Sequence, residues 1–209
     1  VNLLISNRTT LEFPEVSHKI MLIGSAGSGK DTMASILCEK IPNCFRVAFA
    51  DQLKQICQSM VEHAIKENAI PFPVFDDMSE VHRDLFRPLW QWMGTDFIRN
   101  RVSPNFWIAR VEDRVHSMVD YNFSQDPVSI VITDCRFRNE YEWGVKNGYA
   151  IVRISGSWRT GSMIPAHSSE TSHLNLQEDL HYENHEDIAS MEKWIDTILL
   201  PYMKKRIHS

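Results

Sequence analysis

Lys19-Ile20-Met21-Leu22-Ile23-Gly24-Ser25-Ala26-Gly27-Ser28-Gly29-Lys30-Asp31-Thr32 is the stretch on which the fold turns. KIMLI reads as a short buried strand, the glycine-rich run that follows as a turn, and Lys30 to about Lys40 as a helix. Gly24 to Lys30 match G-x-x-x-x-G-K, and they lie between a strand and a helix, the context that gives this pattern meaning. The glycines let consecutive backbone N–H groups point inward as an anion nest. The helix N-terminus adds positive partial charge, and Lys30 supplies a mobile cation for nucleotide phosphates. The usual Ser/Thr after the lysine is replaced by Asp31, followed by Thr32. A carboxylate beside a phosphate is costly unless a cation compensates it. Asp31 is therefore expected near Mg²⁺ or an arginine, with Thr32 on a phosphate; the plainer reading of Asp31 is a first-turn acid that favours the helix dipole.

Outward from this loop, strands alternate with helices. Cys44–Ala50 (CFRVAFA) reads as a strand, and Asp51 as the cap of a helix running to about Asn68. Ala69–Glu80, with Pro71 and Pro73, reads as a loop. Helical stretches follow over roughly His82–Val102, interrupted by Gly94, and Pro104–Tyr121, with Pro104 at the first turn. Val128–Thr133 (VSIVIT) is a continuous buried strand, Phe137–Asn147 a helix ended by Gly148, and Tyr149–Ser155 another strand. Gly156–Leu176 is polar and reads as a lid or loop. A short strand near Leu180–Glu183 precedes a helix over about Glu186–Lys205, with Ile188, Met191, Ile195, Ile198 and Leu199 on its apolar face. The alternation implies an α/β fold, a parallel sheet with helices on both faces. Residues 1–18 fit no element and form a lead-in to a single domain spanning 1–209.

The chain has 209 residues, 43% hydrophobic and 23% charged, which suits one sizeable core. The net charge of −5 disfavours polymeric nucleic acid as a partner while leaving room for a small anionic substrate at a local basic cluster. No stretch of about 18 apolar residues is present, so no membrane span is expected, and VNLLISNRTT lacks the basic and apolar regions of a secretory signal. Cys38, Cys44, Cys57 and Cys135 show no C-x-x-C spacing and read as reduced thiols of a cytoplasmic protein. His181 and His185 have no clear third ligand nearby, so they read as ordinary surface or core histidines.

The second chemical signal is Val131-Ile132-Thr133-Asp134, an apolar strand ending in an acid. In phosphate-loop proteins such a carboxylate organises Mg²⁺ and its waters. Arg136, Arg138, Asn139 and Glu140 follow at the carboxyl end of the strand, the edge at which open α/β sheets bind ligands. Arginines recur at 83, 87, 99, 101, 110, 153 and 159. Arg83, Arg101 and Arg110 read as a solvated helix face, whereas Arg99, Arg136 and Arg159 are candidates for bidentate phosphate binding. Among Trp90, Trp92, Phe97, Phe106 and Trp107 most read as core, with one or two left to stack on a base.

These blocks together resemble the bacteriophage deoxynucleoside monophosphate kinases, adenylate-kinase-like members of the phosphate-loop NTPases. The similar blocks are Gly24–Thr32 with its Gly-Lys-Asp-Thr ending, Leu89–Asp96 followed by Asn105-Phe106-Trp107, Thr133–Glu140, and His167-Ser168-Ser169-Glu170 in the lid region. They run in the expected order from about residue 19 to 185. Arg138 departs from the pattern, standing where a proline is frequent.

The resemblance implies a nucleoside monophosphate kinase-like fold with a small lid, and transfer of the γ-phosphoryl of ATP to a dNMP with Mg²⁺. By this reading Gly24–Thr32 bind ATP. Lys30, Asp134, Arg136 and Arg159 are catalytic, and Asp31 and Asp134 hold the metal through water. Asp51, Lys54, Gln91, Arg99, Trp107, Arg136, Glu140, His167 and Glu170 form the acceptor site. A homodimer is compatible with it, as is the host cytoplasm as location if the chain is viral. Two competing readings stay open: a kinase of another small phosphorylated metabolite on the same fold, and a nucleotide-binding ATPase without an acceptor.

Overall fold

The computed structural model describes residues 16–67, 80–122, 127–156, 175–185 and 187–207, with side chains at all of these except 65 and 80–85. β1 (Lys19–Ile23) lies at the centre of a five-stranded sheet with β2 (Cys44–Val47), β3 (Ser129–Ile132), β4 (Ala150–Ser155) and β5 (Leu180–Glu183). The order is β2-β3-β1-β4-β5, and every pairing is parallel. Register is set by contacts such as Ile20↔Val131 and Ile20↔Ala150.

Strand residues alternate between two cores, as a period of two requires. Met21, Ile23, Ile130, Ile132 and Ile151 face one side. There they meet α2 (Phe49–Glu67), α4 (Phe106–Asp120) and α5 (Arg138–Lys146) through Phe49, Leu53, Trp107, Val111 and Trp143. Ile20, Leu22, Val131, Val152 and Ile154 face the other side, against α1 (Lys30–Lys40), α6 (Ile188–Trp194) and α7 (Leu200–Ile207). The expected α/β architecture, a parallel sheet covered by helices on both faces, is what these residues build, with the glycine loop at the carboxyl end of the central strand.

Several boundaries differ from the sequence reading. β2 ends at Val47 rather than Ala50, because the Phe49 and Ala50 amides start α2 on the Asp134 carboxylate. Asp51 is then not the cap but a first-turn residue, its Oδ2 accepting from the Ala48 amide at 3.1 Å. The helix expected over His82–Val102 is α3 (Glu80–Gln91) continued by a wide π-helical stretch, Trp92–Val102. Gly94 sits in it against Leu53; a Cβ there would fall 2.5 Å from Leu53 Cδ2. The last helical region contains a second wide turn, Ile195–Leu199, between α6 and α7. Such turns carry more residues per revolution, so every fourth residue returns to one face, and Met191, Ile195, Leu199 and Met203 are buried. Ile188 and Ile198 leave the expected stripe and are 59% and 44% exposed.

Ala69–Glu80, apart from Glu80 itself, and most of the Gly156–Leu176 lid lie outside the described residues, as do residues 1–15 of the lead-in. All four cysteines are free thiols. No helix of the described residues is long and apolar enough to cross a membrane.

Candidate active site

The glycine loop is shaped by close approach. Gly24 has φ 150°, and a Cβ there would lie 2.2 Å from the Ile154 carbonyl oxygen. Gly29 has φ 99°, and a Cβ there would lie 2.5 Å from Asn184 Nδ2. Neither position tolerates a side chain. Lys30 arches back over the loop, its Nζ donating to the carbonyls of Gly24 at 2.9 Å and Ser25 at 2.6 Å. Ser28 is fully buried, and its carbonyl accepts from Asn184 Nδ2 at 2.9 Å. A side chain following β5 thus fixes the loop from behind.

A cleft of about 490 Å³ opens beside the loop. Ala26, Gly27, Lys30 and Asp31 line one wall, Leu53, Lys54, Trp90 and Gln91 another, and Thr133, Asp134 and Arg136 lie at the end of β3. Lys54 Nζ is 5.5 Å from the centroid of the Trp90 ring, within cation–π range. Six cationic side chains line the cleft, Arg46, Arg87 and Arg99 joining Lys30, Lys54 and Arg136, against three carboxylates: Asp31, Asp134 and Glu140. A chain of net charge −5 therefore concentrates positive charge here, the reverse of its overall sign.

Asp134 is committed to the backbone. Its Oδ1 accepts from the Phe49 amide at 2.7 Å and its Oδ2 from the Ala50 amide at 2.9 Å. Burial pushes its pKa up, against the pull of these amides and the Arg136 charge. Each oxygen keeps a lone pair for a water. Asp31 is 77% exposed and meets Arg46, with Nε and Nη2 both 3.2 Å from Oδ1. The compensating arginine anticipated for Asp31 is thus Arg46. Arg46 Nη1 also reaches Asp51, at 3.3 Å from Oδ1, and Asp51 is held in turn by Arg114 at 3.2 Å.

No group of three or more His, Cys, Asp or Glu side chains fit to hold a metal occurs among the described residues. Mg²⁺ in nucleotide sites is held mainly by phosphates and water, with one or two carboxylates. The cleft meets that requirement: Asp31 stands at its surface, Asp134 is behind it, and the Thr133 hydroxyl is buried there without a partner.

Arg99, Glu140 and Trp107, expected in the acceptor site, line the cleft and are each also held by contacts of their own. Arg99 is 8% exposed; its Nη2 pairs with Glu140 Oε1, and its Nη1 donates to Asn139 Oδ1 at 2.9 Å and to the Pro104 carbonyl at 3.1 Å. Its guanidinium lies 3.8 Å from the Phe137 ring centroid. Glu140 Oε2 accepts from the Arg136 and Phe137 amides at 2.9 and 3.0 Å, fixing the start of α5. Burial pushes the Glu140 pKa up, Arg99 and the amides opposing it. Trp107 is 4% exposed and donates Nε1–H to the Gly94 carbonyl at 2.9 Å, a core anchor whose edge reaches the cleft.

Lys30, Asp31, Lys54, Gln91, Arg136 and Asp134 therefore come together as expected, while Thr32 is exposed on the first turn of α1 and does not line the cleft. Arg138 is 78% exposed and pairs with Glu142, four residues on. Arg101 and Arg110 are exposed, as read. Arg159, His167 and Glu170 lie outside the described residues. Sequence reasoning missed Arg46, Arg114 and Asn184. Alternation along β2 puts Arg46 on the side of Cys44, which packs towards α1, and this was the available signal for it.

No family model matches the chain, and no curated protein is similar to it. Among solved structures, a gluconokinase from Sinorhizobium meliloti 1021 is similar at 15% identity, with a TM-score of 0.46, over 92% of this chain and 97% of that one.

Proposed function

We propose that this chain is an ATP-dependent phosphotransferase whose acceptor is a deoxynucleoside monophosphate. The observation that carries the reading is the cleft itself. A glycine loop with its lysine faces a wall of Lys54, Arg87, Trp90 and Gln91, and Arg136 stands at the end of β3. One wall suits a nucleotide triphosphate; the other offers cations for a phosphate and an indole for a base.

The acceptor phosphate is anionic at neutral pH, so alignment and charge stabilisation suffice and no general base is needed. Lys30 and the loop amides hold the donor phosphates. Arg136 faces the acceptor phosphate and offsets the charge shared during transfer. Asp31 and Asp134 would hold Mg²⁺ through water, where it would supply neutralisation of charge on the transferred group. Lys54, Gln91 and Trp90 orient the acceptor, with Asp51 setting the start of α2. Arg99 and Glu140 keep the β3–α5 turn in place. Arg159, which would close over the transferred group, and His167 and Glu170, which would orient the sugar or base, rest on the family resemblance alone.

Coupled ADP-release kinetics test this reading. The panel is dAMP, dCMP, dGMP, dTMP and modified pyrimidine deoxynucleotides, set beside phosphorylated non-nucleotides and ATP alone. Stimulation by a dNMP is expected. Stimulation only by a non-nucleotide would reassign the acceptor, and turnover that no small molecule stimulates would leave an ATPase. Lys30→Ala should lower turnover by about 10³-fold, roughly 4 kcal/mol of barrier; a loss below about tenfold at saturating MgATP would remove the donor assignment.

A further inference from the structure

We propose that Arg46 is a phosphate-binding residue of the cleft, held ready between Asp31 and Asp51. The inference rests on the phosphotransferase reading above and names a residue that the sequence motifs do not. Arg46 lines the cleft on the side of Lys30 and Asp31, on an edge strand rather than in the loop.

Three observations carry it. The contacts of Arg46 are long, 3.2 Å to Asp31 and 3.3 and 3.5 Å to Asp51. Charge-assisted pairs close to about 2.7–2.9 Å when well seated, and Lys40–Asp196 in this chain does so at 2.9 Å. The carboxylate of Asp31 is 77% exposed. A pair so open to water contributes about 0–1 kcal/mol, and the contact with the less exposed Asp51, at 17%, is left long and shared with other donors. Finally, Asp51 has two other donors, Arg114 Nη1 at 3.2 Å and the Ala48 amide at 3.1 Å. Arg46 can turn to a phosphate oxygen without leaving a carboxylate bare: Asp51 keeps its partners and Asp31 is solvated. A planar fork then meets the tetrahedral oxyanion, and a carboxylate that repels phosphate is screened by the cation at its side.

The phosphate belongs either to the donor or to the acceptor, and the arms of the experiment separate them. Calorimetric titrations of ATP with EDTA present, of a dNMP, and of inorganic tripolyphosphate are run on the full chain and on Arg46→Ala, Arg46→Lys and Asp31→Asn/Arg46→Ala. Melting temperatures are taken on the same preparations. Arg46→Ala should bind ATP or the dNMP about 10- to 100-fold more weakly. Arg46→Lys should recover part of the loss, and the double variant should remain weak. Unchanged affinity for every ligand in Arg46→Ala overturns the proposal while leaving the phosphotransferase reading in place. Wild-type affinity in the double variant also overturns it, since Arg46 would then only neutralise Asp31. Tripolyphosphate binding that needs Arg46, with no nucleotide binding, upholds the residue and removes the nucleotide-kinase reading. A wild-type chain that binds none of the three removes both.

Discussion

Arg99 and Glu140 make up the most buried ion pair among the described residues, at 8% and 3% side-chain exposure. The pair is held in place by Asn139, Pro104, Phe137 and two amides. Such a pair is not obviously worth more than a well-packed apolar one, but breaking it strands a charge. Glu140→Gln can keep an oxygen acceptor for the Arg136 and Phe137 amides, but its NH2 then faces Arg99, so both the charge and the acceptor for the guanidinium are lost. It should cost about 3–5 kcal/mol in denaturant unfolding, and Arg99→Met/Glu140→Gln, which strands no charge and keeps the acceptor for the two amides, should recover most of this. A cost below about 1 kcal/mol would place the anchor of the β3–α5 turn elsewhere. The cysteines give a second test at this scale. Cys38 and Cys44 lie with sulfurs 3.3 Å apart. The Cys44 contact, then the Arg46 charge, hold the Cys38 thiol below its ordinary range, burial opposing them, while the same contact and burial push Cys44 up. Burial alone raises Cys57 and is the main cause for Cys135. Iodoacetamide at neutral pH should alkylate Cys38 first and Cys57 and Cys135 last, as read by peptide mass mapping. The Cys38 rate should rise with pH through a lower midpoint than that of a free thiol. Equal labelling of all four would contradict this ordering.

Among the elements, those with continuous apolar runs were legible. KIMLI is a strand, and so is the SIVI of VSIVIT, Val128 and Thr133 flanking it; Ile20–Ile23 and Ser129–Ile132 are all buried, as central parallel strands covered on both faces require. Element starts were less legible because they depend on distant groups. The start of α2 is set by Asp134, 85 residues from Phe49. The wide turn after Gln91 goes with the Gly94–Leu53 approach and the Trp107–Gly94 hydrogen bond, neither of which has a local signature. Arg46 on an edge strand looks like any solvated arginine until β2 is laid beside α1. Asn184 is the clearest instance, since its neighbours give no motif, yet it holds the glycine loop from β5's end. Asn184→Ala leaves the buried Ser28 carbonyl without that donor and should cost about 1–3 kcal/mol. Asn184→Asp should do no better, because a carboxylate cannot donate to a carbonyl. Amide exchange at Gly27 to Lys30 should speed up in both variants relative to the strands. If those amides stay as protected as in the parent chain, the loop is held by other contacts.

At the scale of the whole molecule, one sheet supports two cores, and every strand ends at the same edge. The loop packs on β4 and β5 through Ile154 and Asn184, and the opposite wall packs on β3 through Asp134 and α2. A ligand bridging the two walls is therefore tied to the sheet from both sides, and its binding free energy should appear as resistance to global unfolding rather than as local stiffening alone. For ligand at a hundred times its Kd the gain is about 2.7 kcal/mol. In a chain of this length that corresponds to a rise in Tm of about 5–11 °C. MgATP should produce such a rise in the parent chain. It should produce little in Lys30→Ala, whose own Tm should stay near the parent value, because the Gly24 and Ser25 carbonyls to which Nζ donates can be reached by water after truncation, and the Ser28 hydroxyl contact is long at 3.4 Å. Differential scanning calorimetry at fixed ligand excess reads both quantities. A parent Tm unmoved by saturating MgATP would detach the loop from nucleotide binding. An equal rise in both proteins would place the nucleotide away from Lys30, and with it the whole donor side of the cleft.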